Sequence, residues 1–311
     1  MTMTTKLLSQ HPTKSALLVT LLALAAASAE ASDTYQTRVV VRGLNRPTGI
    51  VAEGSKTLYI TQLPTPGVAG PAGGMNRVDK ITLASGRITN LTMGEPEPTN
   101  LALDKRGQLY WTCKSAGVIL ERSRNGAVAP FLTGLTKPSG IALDRWDNVY
   151  FTQVPTPGLP GTMGGSNTVN VSDGTQVEIL TMGEPEPTDI AVNRQGEAYW
   201  TCKSAGVILK RATDGTVSLL LKNLQAPTGI ALDHGGRKLY FTEVPTPGVG
   251  GGMNKVSVYD LEEGGLSVVA LGDPEPTDIT VARNGRVYWT CSSAGVIVEA
   301  KRICDYDEDE D

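Results

Sequence analysis

Histidine is almost absent from this sequence. His11 and His234 are the only two in 311 residues, and His11 belongs to an N-terminal segment that differs in composition from the rest. A Ser-His-Asp triad or a His-based lactonase dyad therefore has no base. A zinc site held by histidines likewise has no ligands. Any catalysis by this chain would have to use carboxylates and a metal ion.

Aromatic residues are also scarce, at 5% of the chain, whereas glycine and proline are abundant at 35 and 19 residues. Short strands joined by tight turns have this balance, and long helices do not. The hydrophobic fraction of 40% is sufficient for a sizeable core. The composition therefore predicts an all-β protein of one or two domains.

Long apolar runs are missing beyond the N-terminal segment. In that segment two lysines precede an apolar run from Ala16 to Ala27, and small residues follow it. This order is typical of a secretory signal peptide, which we predict over residues 1–31, with cleavage near Glu30 or Ser32. No later stretch reaches the roughly 20 apolar residues that a membrane span needs. We expect a secreted protein, extracellular or periplasmic, with no membrane span in its mature chain; the alternative is an uncleaved anchor.

An excess of positive charge is absent as well. Without residues 1–31 the chain keeps 26 basic and 31 acidic side chains, and six of the acids belong to residues 305–311. A nearly neutral body offers no basic stripe to a phosphate backbone, so we expect no nucleic-acid partner. We predict that residues 305–311 form a solvated, disordered tail. The alternative for this acidic tail is a role in collecting calcium.

The sequence does contain an internal repeat. The string YWTCKSAGVIL begins at Tyr110 and again at Tyr199, and its variant YWTCSSAGVIV begins at Tyr288, so the period is 89 residues. Each half of a period is marked by a proline before Thr or Ser, at Pro47, Pro98, Pro138, Pro187, Pro227 and Pro276. Six units of roughly 45 residues result, each with the pattern of four short strands that is typical of a β-propeller blade.

The sixth unit is incomplete, because its pattern ends after Val296–Val298 without a fourth strand. A segment that resembles the missing strand precedes the first unit, over residues 37–44. Pairing the two would complete the last sheet and remove an exposed sheet edge. We therefore predict a six-bladed β-propeller over residues 32–304, closed by its N-terminal strand and built from three near-identical pairs of blades.

The strings PTGIALD…LYFT and YWTC…VI resemble the six-bladed β-propeller superfamily. That superfamily includes NHL repeats, the YWTD repeats of lipoprotein-receptor ectodomains, and the gluconolactonase (SMP-30) and strictosidine-synthase-like group. The resemblance covers nearly the whole mature chain and implies the fold. The last position of the YWTD pattern is Asp, whereas the second halves of the repeats here have Cys113, Cys202 and Cys291. The role of that Asp is therefore not carried over.

Antiparallel strands alternate in direction, so the loop entering strand one and the loop leaving strand two open on the same face of a blade. We name this the first face. It receives the EPEPT turns, the Pro-Thr/Ser-Gly turns, the turns after each repeated cysteine and three long Gly/Pro-rich loops. We expect a site on it, at the mouth of the central channel. The candidates there are Glu95, Glu184, Asp273, Thr48, Ser139, Thr228, Asp189, Asp278, Cys113, Cys202 and Cys291.

The second acid of each EPEPT turn is a candidate metal ligand, which gives Glu97, Glu186 and Glu275. Converging carboxylates suit calcium, which takes about six to eight oxygens. The resemblance to the gluconolactonase group implies a central metal held by Glu, Asn and Asp, although Thr or Ser stands here at the Asn of that group's Pro-Asn-Gly motif. In the alternative interpretation these glutamates cap backbone N–H groups or pair with lysines.

The three repeated cysteines belong to blades two, four and six, a third of a turn apart around the ring. This places them too far apart for a disulfide or for a shared ion. We interpret Cys113, Cys202 and Cys291 as buried, unpaired thiols that pack as small apolar groups, although such thiols are unusual in an exported protein. Cys304 is an alternative partner for one of them.

Two functions stay open at this point. Three equivalent surfaces favour multivalent recognition, so the first is a binding or scaffold module for an extracellular protein, a glycan or a small molecule. The second is a metal-dependent lactonase or esterase of the gluconolactonase type, with Glu97, Glu186 and Glu275 near a calcium ion and a metal-bound water as nucleophile. The second rests on fold analogy more than on residues. Apart from calcium we expect no cofactor.

Overall fold

The computed structural model describes residues 34–64, 75–155, 166–245 and 253–303. These residues belong to one compact unit, Asp33–Asp311. The predicted signal peptide, the acidic tail, Cys304 and most of each long Gly/Pro-rich loop lie outside the described residues, so the predictions about them stay predictions. No helix in the described part of the chain is long and apolar enough to cross a membrane.

The described residues form 24 strands, beginning with β1 (Thr34–Val41). Blade 1 consists of β2 (Pro47–Glu53), β3 (Thr57–Gln62), β4 (Arg77–Thr82) and β5 (Arg87–Met93). Blade 2 consists of β6 (Pro98–Leu103), β7 (Leu109–Cys113), β8 (Val118–Arg122) and β9 (Val128–Leu132). Blade 3 consists of β10 (Pro138–Leu143), β11 (Val149–Gln153), β12 (Thr168–Ser172) and β13 (Val177–Met182).

The remaining blades repeat this plan. Blade 4 consists of β14 (Pro187–Val192), β15 (Ala198–Cys202), β16 (Val207–Arg211) and β17 (Val217–Leu221). Blade 5 consists of β18 (Pro227–Leu232), β19 (Lys238–Glu243), β20 (Lys255–Asp260) and β21 (Leu266–Leu271). Blade 6 consists of β22 (Pro276–Val281), β23 (Val287–Cys291) and β24 (Val296–Ile303), with β1 as its outer strand.

The first strand of every blade contacts the first strand of the next, from β2 through β6, β10, β14, β18 and β22 and back to β2. Six antiparallel four-stranded sheets therefore stand in a ring, with their first strands innermost. This arrangement is a six-bladed β-propeller made of three similar pairs of blades. The predicted fold class is confirmed.

Strand β1 pairs with β24, so Thr34 lies opposite Ile303 and Val39 opposite Val298. One ion pair crosses the two strands, with Arg38 Nε 2.9 Å from Glu299 Oε1. The same carboxylate, 4% exposed, also accepts a bond of 2.6 Å from Arg286. Because Glu299 is buried and doubly paired, it ties the outer strand of blade 6 to the interior of that sheet.

The core consists of six clusters of buried side chains, each between neighbouring blades. Successive residues of a strand point to opposite faces of its sheet, so the Tyr-Trp pair of β7 serves two clusters. Trp111 packs with Tyr59 of blade 1, and Tyr110 packs with Phe151 of blade 3. The repeated Tyr-Trp pairs are thus core residues, as the alternation predicts.

Candidate functional site

The third residue of each innermost strand faces the axis of the propeller. In blades 2, 4 and 6 these residues are Asn100, Asp189 and Asp278, and in blades 1, 3 and 5 they are glycines. A Cβ added to Gly140 would stand 2.5 Å from Asp189 Cα and 2.8 Å from Asp189 Oδ1. The glycines therefore leave the space that the larger side chains occupy, which explains why PTG or PSG alternates with PTN or PTD along the sequence.

Hydrogen bonds join the three polar side chains to neighbouring blades. Asn100 Nδ2 donates to Asp189 Oδ1 at 2.7 Å, although blade 3 separates their two blades in the ring. Asp189 Oδ2 accepts from Ile230 N at 2.8 Å, and Asp278 Oδ2 accepts from Ile50 N at 2.7 Å. We name Asn100, Asp189 and Asp278 the axial triad. Its hydrogen bonds connect the innermost strands of different blades close to the axis.

The two carboxyl groups of the axial triad are buried, with Asp189 4% and Asp278 5% exposed. Burial raises the pKa of both, because a low-dielectric surrounding disfavours the charged form. The negative charge of Asp189 raises the pKa of Asp278 further, while the N–H bonds to both carboxylates oppose the shift. A proton held on this pair relieves the repulsion between two buried carboxylates.

The axial triad does not fit a calcium ion. Both oxygens of each carboxylate already accept N–H bonds, since the amides of Ile190 and Ile279 bond to Oδ1 of Asp189 and Asp278. The positive ends of these donors would face a cation bound to the same oxygens. Among the described residues, no three His, Cys, Asp or Glu side chains are grouped so that they could hold a metal ion.

The structure places Glu97, Glu186 and Glu275 in the turns that enter the even blades, and it does not bring them together as one group. All three have left-handed backbones, with φ of 56°, 57° and 54°. Glu97 O accepts from Lys114 N at 3.0 Å, and Glu186 O accepts from Lys203 N at 3.0 Å. Their backbones thus fix the turns on the first face, and their side chains are left half-buried or exposed.

The first acids of the EPEPT turns lie beside the repeated tryptophans. Trp289 Nε1 donates to Asp273 Oδ2 at 2.9 Å, and burial raises the pKa of Asp273. Glu95 and Glu184 occupy the equivalent turns, where the buried Nε1 atoms of Trp111 and Trp200 have no hydrogen-bond partner among the described residues. The first acids therefore do not act as three equivalent groups.

The hydroxyl candidates Thr48, Ser139 and Thr228 belong to a belt of bonds between blades. Within blade 1, Thr48 Oγ1 lies 2.8 Å from Thr61 Oγ1. Between blades, the carbonyl oxygens of the three candidates accept threonine hydroxyls: Thr290 to Thr48 at 2.8 Å, Thr112 to Ser139 at 2.6 Å and Thr201 to Thr228 at 2.8 Å. Because both partners of each bond are protein groups, the belt explains these residues without a ligand.

Cys113, Cys202 and Cys291 are fully buried and form no disulfide. They lie in three different inter-blade clusters. Desolvation raises the pKa of Cys113 and Cys291 to about 12 and shifts that of Cys202 in the same direction. The interpretation as packed, unreactive thiols agrees with this geometry.

In a Cys304→Ser variant, we expect the native protein to release no thiol signal with Ellman's reagent at about pH 8, because the thiolate is scarce and the sulfur inaccessible. Three thiols should react after denaturation in guanidinium chloride, which is the internal control. Reaction of any of the three under native conditions would contradict the burial.

A cavity of about 310 Å³ lies along the axis, from the axial triad to the turns between strands one and two. Its lining runs from Asp189 and Asp278 past aliphatic residues such as Ile141 and Leu232 to Arg194 and His234. These turns form the face opposite to the first face, which we name the second face. His234 lies on this face, in the turn between β18 and β19, and the sequence gave no indication of a cavity there.

Comparison with known proteins supports the architecture. No protein-family model matches the chain. A low-density lipoprotein receptor-related protein 1 from Pyricularia oryzae is 28% identical over 284 residues, covering 78% of this chain and 87% of the relative. A gluconolactonase from Xanthomonas campestris superposes with a TM-score of 0.70 at 17% identity, covering 89% of this chain and 93% of the neighbour.

Two further solved structures agree. A calcium-binding regucalcin from Agrobacterium tumefaciens has a TM-score of 0.66 at 12% identity, over 87% of this chain and 95% of the neighbour. A virginiamycin B lyase from Staphylococcus aureus has a TM-score of 0.57 at 15% identity, over 86% and 100%. The chain shares the fold of these propellers. At such identities the likeness shows the fold alone.

Proposed function

We propose that the protein is an exported binding module that recognises an extracellular protein or glycan through the turns of its first face. The observation that carries this proposal is a ring of strained, mostly charged residues on that face. The innermost strand of every blade begins at a proline, which we name the entry proline. The residue directly before each entry proline has a left-handed backbone; these residues are Arg46, Glu97, Lys137, Glu186, Ala226 and Glu275. We name these six residues the entry ring.

Left-handed backbone costs about 1–2 kcal/mol for a residue with a side chain. All six blades have this conformation, at φ between 47° and 57°. Its recurrence indicates that the turn into each blade requires a left-handed residue at this position. The geometry presents side chains of alternating charge around the channel, with Arg46 and Lys137 in odd blades and three glutamates in even blades. None of these five takes part in a salt bridge among the described residues.

Unpaired charges in a repeated geometry favour a partner that carries complementary charges at several points. The three glutamates repeat with the period of the blade pairs, which supports multivalent attachment. Electrostatic complementarity of this kind increases the association rate and the specificity. The name of the Pyricularia oryzae relative groups it with receptors, which agrees with recognition rather than catalysis.

The test is the variant Glu97→Gln/Glu186→Gln/Glu275→Gln on arrays of secreted proteins and glycans. We expect the wild-type protein to bind a partner and the variant to bind it at least about 10-fold more weakly, because charged contacts on three blades are lost together. The control is Glu178→Gln/Glu262→Gln/Glu263→Gln, which removes the same charge from exposed positions in blades 3 and 5. Equal loss in both variants, or no partner on either array, would refute the proposal.

The second function, metal-dependent lactone or ester hydrolysis, is favoured by the likeness to a gluconolactonase fold. A rise in melting temperature with calcium, together with lactone hydrolysis that Glu186→Gln/Glu275→Gln abolishes, would replace the binding proposal. The same measurements on wild-type protein without added metal serve as the reference.

A further inference from the structure

The second face carries a cluster of cationic side chains around the cavity mouth. The residue seven places after the entry proline is basic or histidine in five blades: Lys105, Arg145, Arg194, His234 and Arg283. We name these five residues the basic mouth. All five are exposed and line one recess of about 600 Å³, which shares Arg194 and His234 with the lining of the axial cavity. Residues 32–304 contain 26 basic and 25 acidic side chains, so these cations are a local concentration of positive charge on a nearly neutral body.

Carboxylates stand directly before three of these residues, and one oxygen of each accepts backbone N–H groups of its own turn. Asp104 Oδ1 accepts from Arg106 N at 2.8 Å and from Gln108 N at 2.7 Å. Asp144 Oδ1 accepts from Trp146 N at 2.8 Å in the same way. These acids are 8% and 6% exposed and hold the turns. Asp147 lines the same recess, so the acids of blades 2 and 3 offset part of the positive charge of Lys105 and Arg145.

Blades 4 and 6 lack even this acid, since Asn193 and Ala282 replace it before Arg194 and Arg283. In blade 5 Asp233 precedes His234, so the half of the basic mouth formed by blades 4, 5 and 6 has one such acid, whereas Asp104, Asp144 and Asp147 lie beside Lys105 and Arg145. Arg194 Nη2 lies 2.9 Å from His234 Nε2. Because a guanidinium only donates, the imidazole nitrogen must accept, and the bond directs Arg194 toward the neighbouring blade.

None of the four lysine and arginine side chains of the basic mouth forms a salt bridge within the described ranges. Lys105 Nζ donates to the carbonyl oxygen of Arg145. The remaining N–H groups of Arg194 and Arg283 are available to an oxyanion, which guanidinium binds with two parallel hydrogen bonds.

The axial cavity behind the basic mouth is lined by backbone polar groups and by aliphatic side chains. Each innermost strand is an edge of its sheet, so one row of its N–H and C=O groups faces the axis without a strand partner. Aliphatic side chains such as Leu103 and Val192 complete the wall. At about 310 Å³ the cavity is within the range of small-molecule sites.

We propose that the basic mouth binds a small organic oxyanion, a phosphate or carboxylate, whose uncharged body enters the axial cavity. Arg194 and Arg283 hold the anionic group, and His234 orients Arg194. A polyanionic chain fits this geometry less well, because the cations surround one opening and do not form a stripe. The site is on the face opposite to the entry ring and does not depend on the proposed function of that ring.

The experiment is calorimetric titration of the full chain with phenyl phosphate, inorganic phosphate and benzyl alcohol at low ionic strength. We expect phenyl phosphate to bind most tightly, inorganic phosphate more weakly and benzyl alcohol not measurably. The reason is that the phosphate group and the phenyl ring each contribute to the binding free energy. Arg194→Ala/Arg283→Ala should weaken phenyl phosphate binding on the order of 100-fold, as two charge-assisted contacts are lost. Arg194→Lys/Arg283→Lys should recover part of the affinity.

The matched control is Arg87→Ala/Lys222→Ala, which removes two exposed cations away from the cavity and should leave the affinity within about twofold. Melting curves of all variants verify that they fold. Absence of phenyl phosphate binding by the wild type, or equal binding by the alanine variant and the control, would overturn the proposal. Binding of heparin without binding of phenyl phosphate would overturn it as well. None of these results bears on the entry ring, because that proposal is tested with a different variant, the triple glutamine variant, and a different ligand.

Discussion

Replacing Asn100 with aspartate is expected to destabilise the propeller by about 3–5 kcal/mol at neutral pH, the cost of an uncompensated buried charge. The substitution removes the only side-chain N–H donor that the described structure directs at Asp189, at 2.7 Å. It also puts a third carboxyl group into a place where two already interact. The free energy of unfolding from urea denaturation, at about pH 8, measures the loss.

The same substitution should make stability more dependent on pH. The raised pKa values of Asp189 and Asp278 mean that the folded protein binds protons more tightly than the unfolded chain. Their contribution is therefore complete below the ordinary carboxyl pKa of about 4 and is lost as the pH rises through the folded pKa values. The destabilisation by Asn100→Asp should be smallest near pH 4 and grow toward neutral pH.

An exposed asparagine supplies the control. Asn284→Asp adds the same charge in a surface turn of blade 6 and should change stability by no more than about 0.5 kcal/mol. If Asn100→Asp behaves like this control at every pH, the axial triad is not the close, desolvated cluster described above.

Replacing Gly140 with alanine is expected to cost about 3 kcal/mol, the upper end of the range for overpacking. The new methyl group would meet backbone atoms of Asp189, which cannot move as a flexible side chain can. Thermal unfolding should show a single transition at lower temperature, because the whole ring is strained at its axis.

Gly265→Ala is the matched control for this prediction. Gly265 has no heavy atom within 4 Å of an added Cβ, and its backbone is not left-handed. Alanine there should be neutral or slightly stabilising, since it lowers the entropy of the unfolded chain. Equal stability of the two variants would contradict the close packing of glycine against aspartate at the axis.

Most of the fold could be predicted from the sequence because the repeat is long and regular. The six entry prolines start the innermost strands of all six blades, from Pro47 to Pro276. The burial of the Tyr-Trp pairs follows from the alternation of a strand, because a strand between two sheets packs on both of its sides.

The candidate site was less predictable, because the same residue types serve different purposes in different positions. Asp189 and Asp278 were candidates, but the sequence could not show that backbone amides already occupy their oxygens. The three glutamates of the entry ring were candidates as metal ligands, but Arg46, Lys137 and Ala226 were not candidates, because a left-handed backbone has no marker in residue type.

The second face was missed for a different reason. Its signal was present, since a basic residue or histidine recurs seven places after five of the six prolines. The long loops and acidic turns favoured the first face, because binding and catalytic residues are concentrated on loops. Only packing shows that Arg194 and His234 stand at the opening of a cavity.

The pairing of β1 with β24 has a mechanical consequence. Thr34 lies opposite Ile303, so both ends of the described chain leave the sheet at the same end of the strand pair. A pulling force applied at these two points would load the backbone hydrogen bonds one after another, as in opening a zipper, and not all together in shear. Tension through its termini would therefore detach β1 at low force, whereas tension along the strands would meet the combined resistance of the pair.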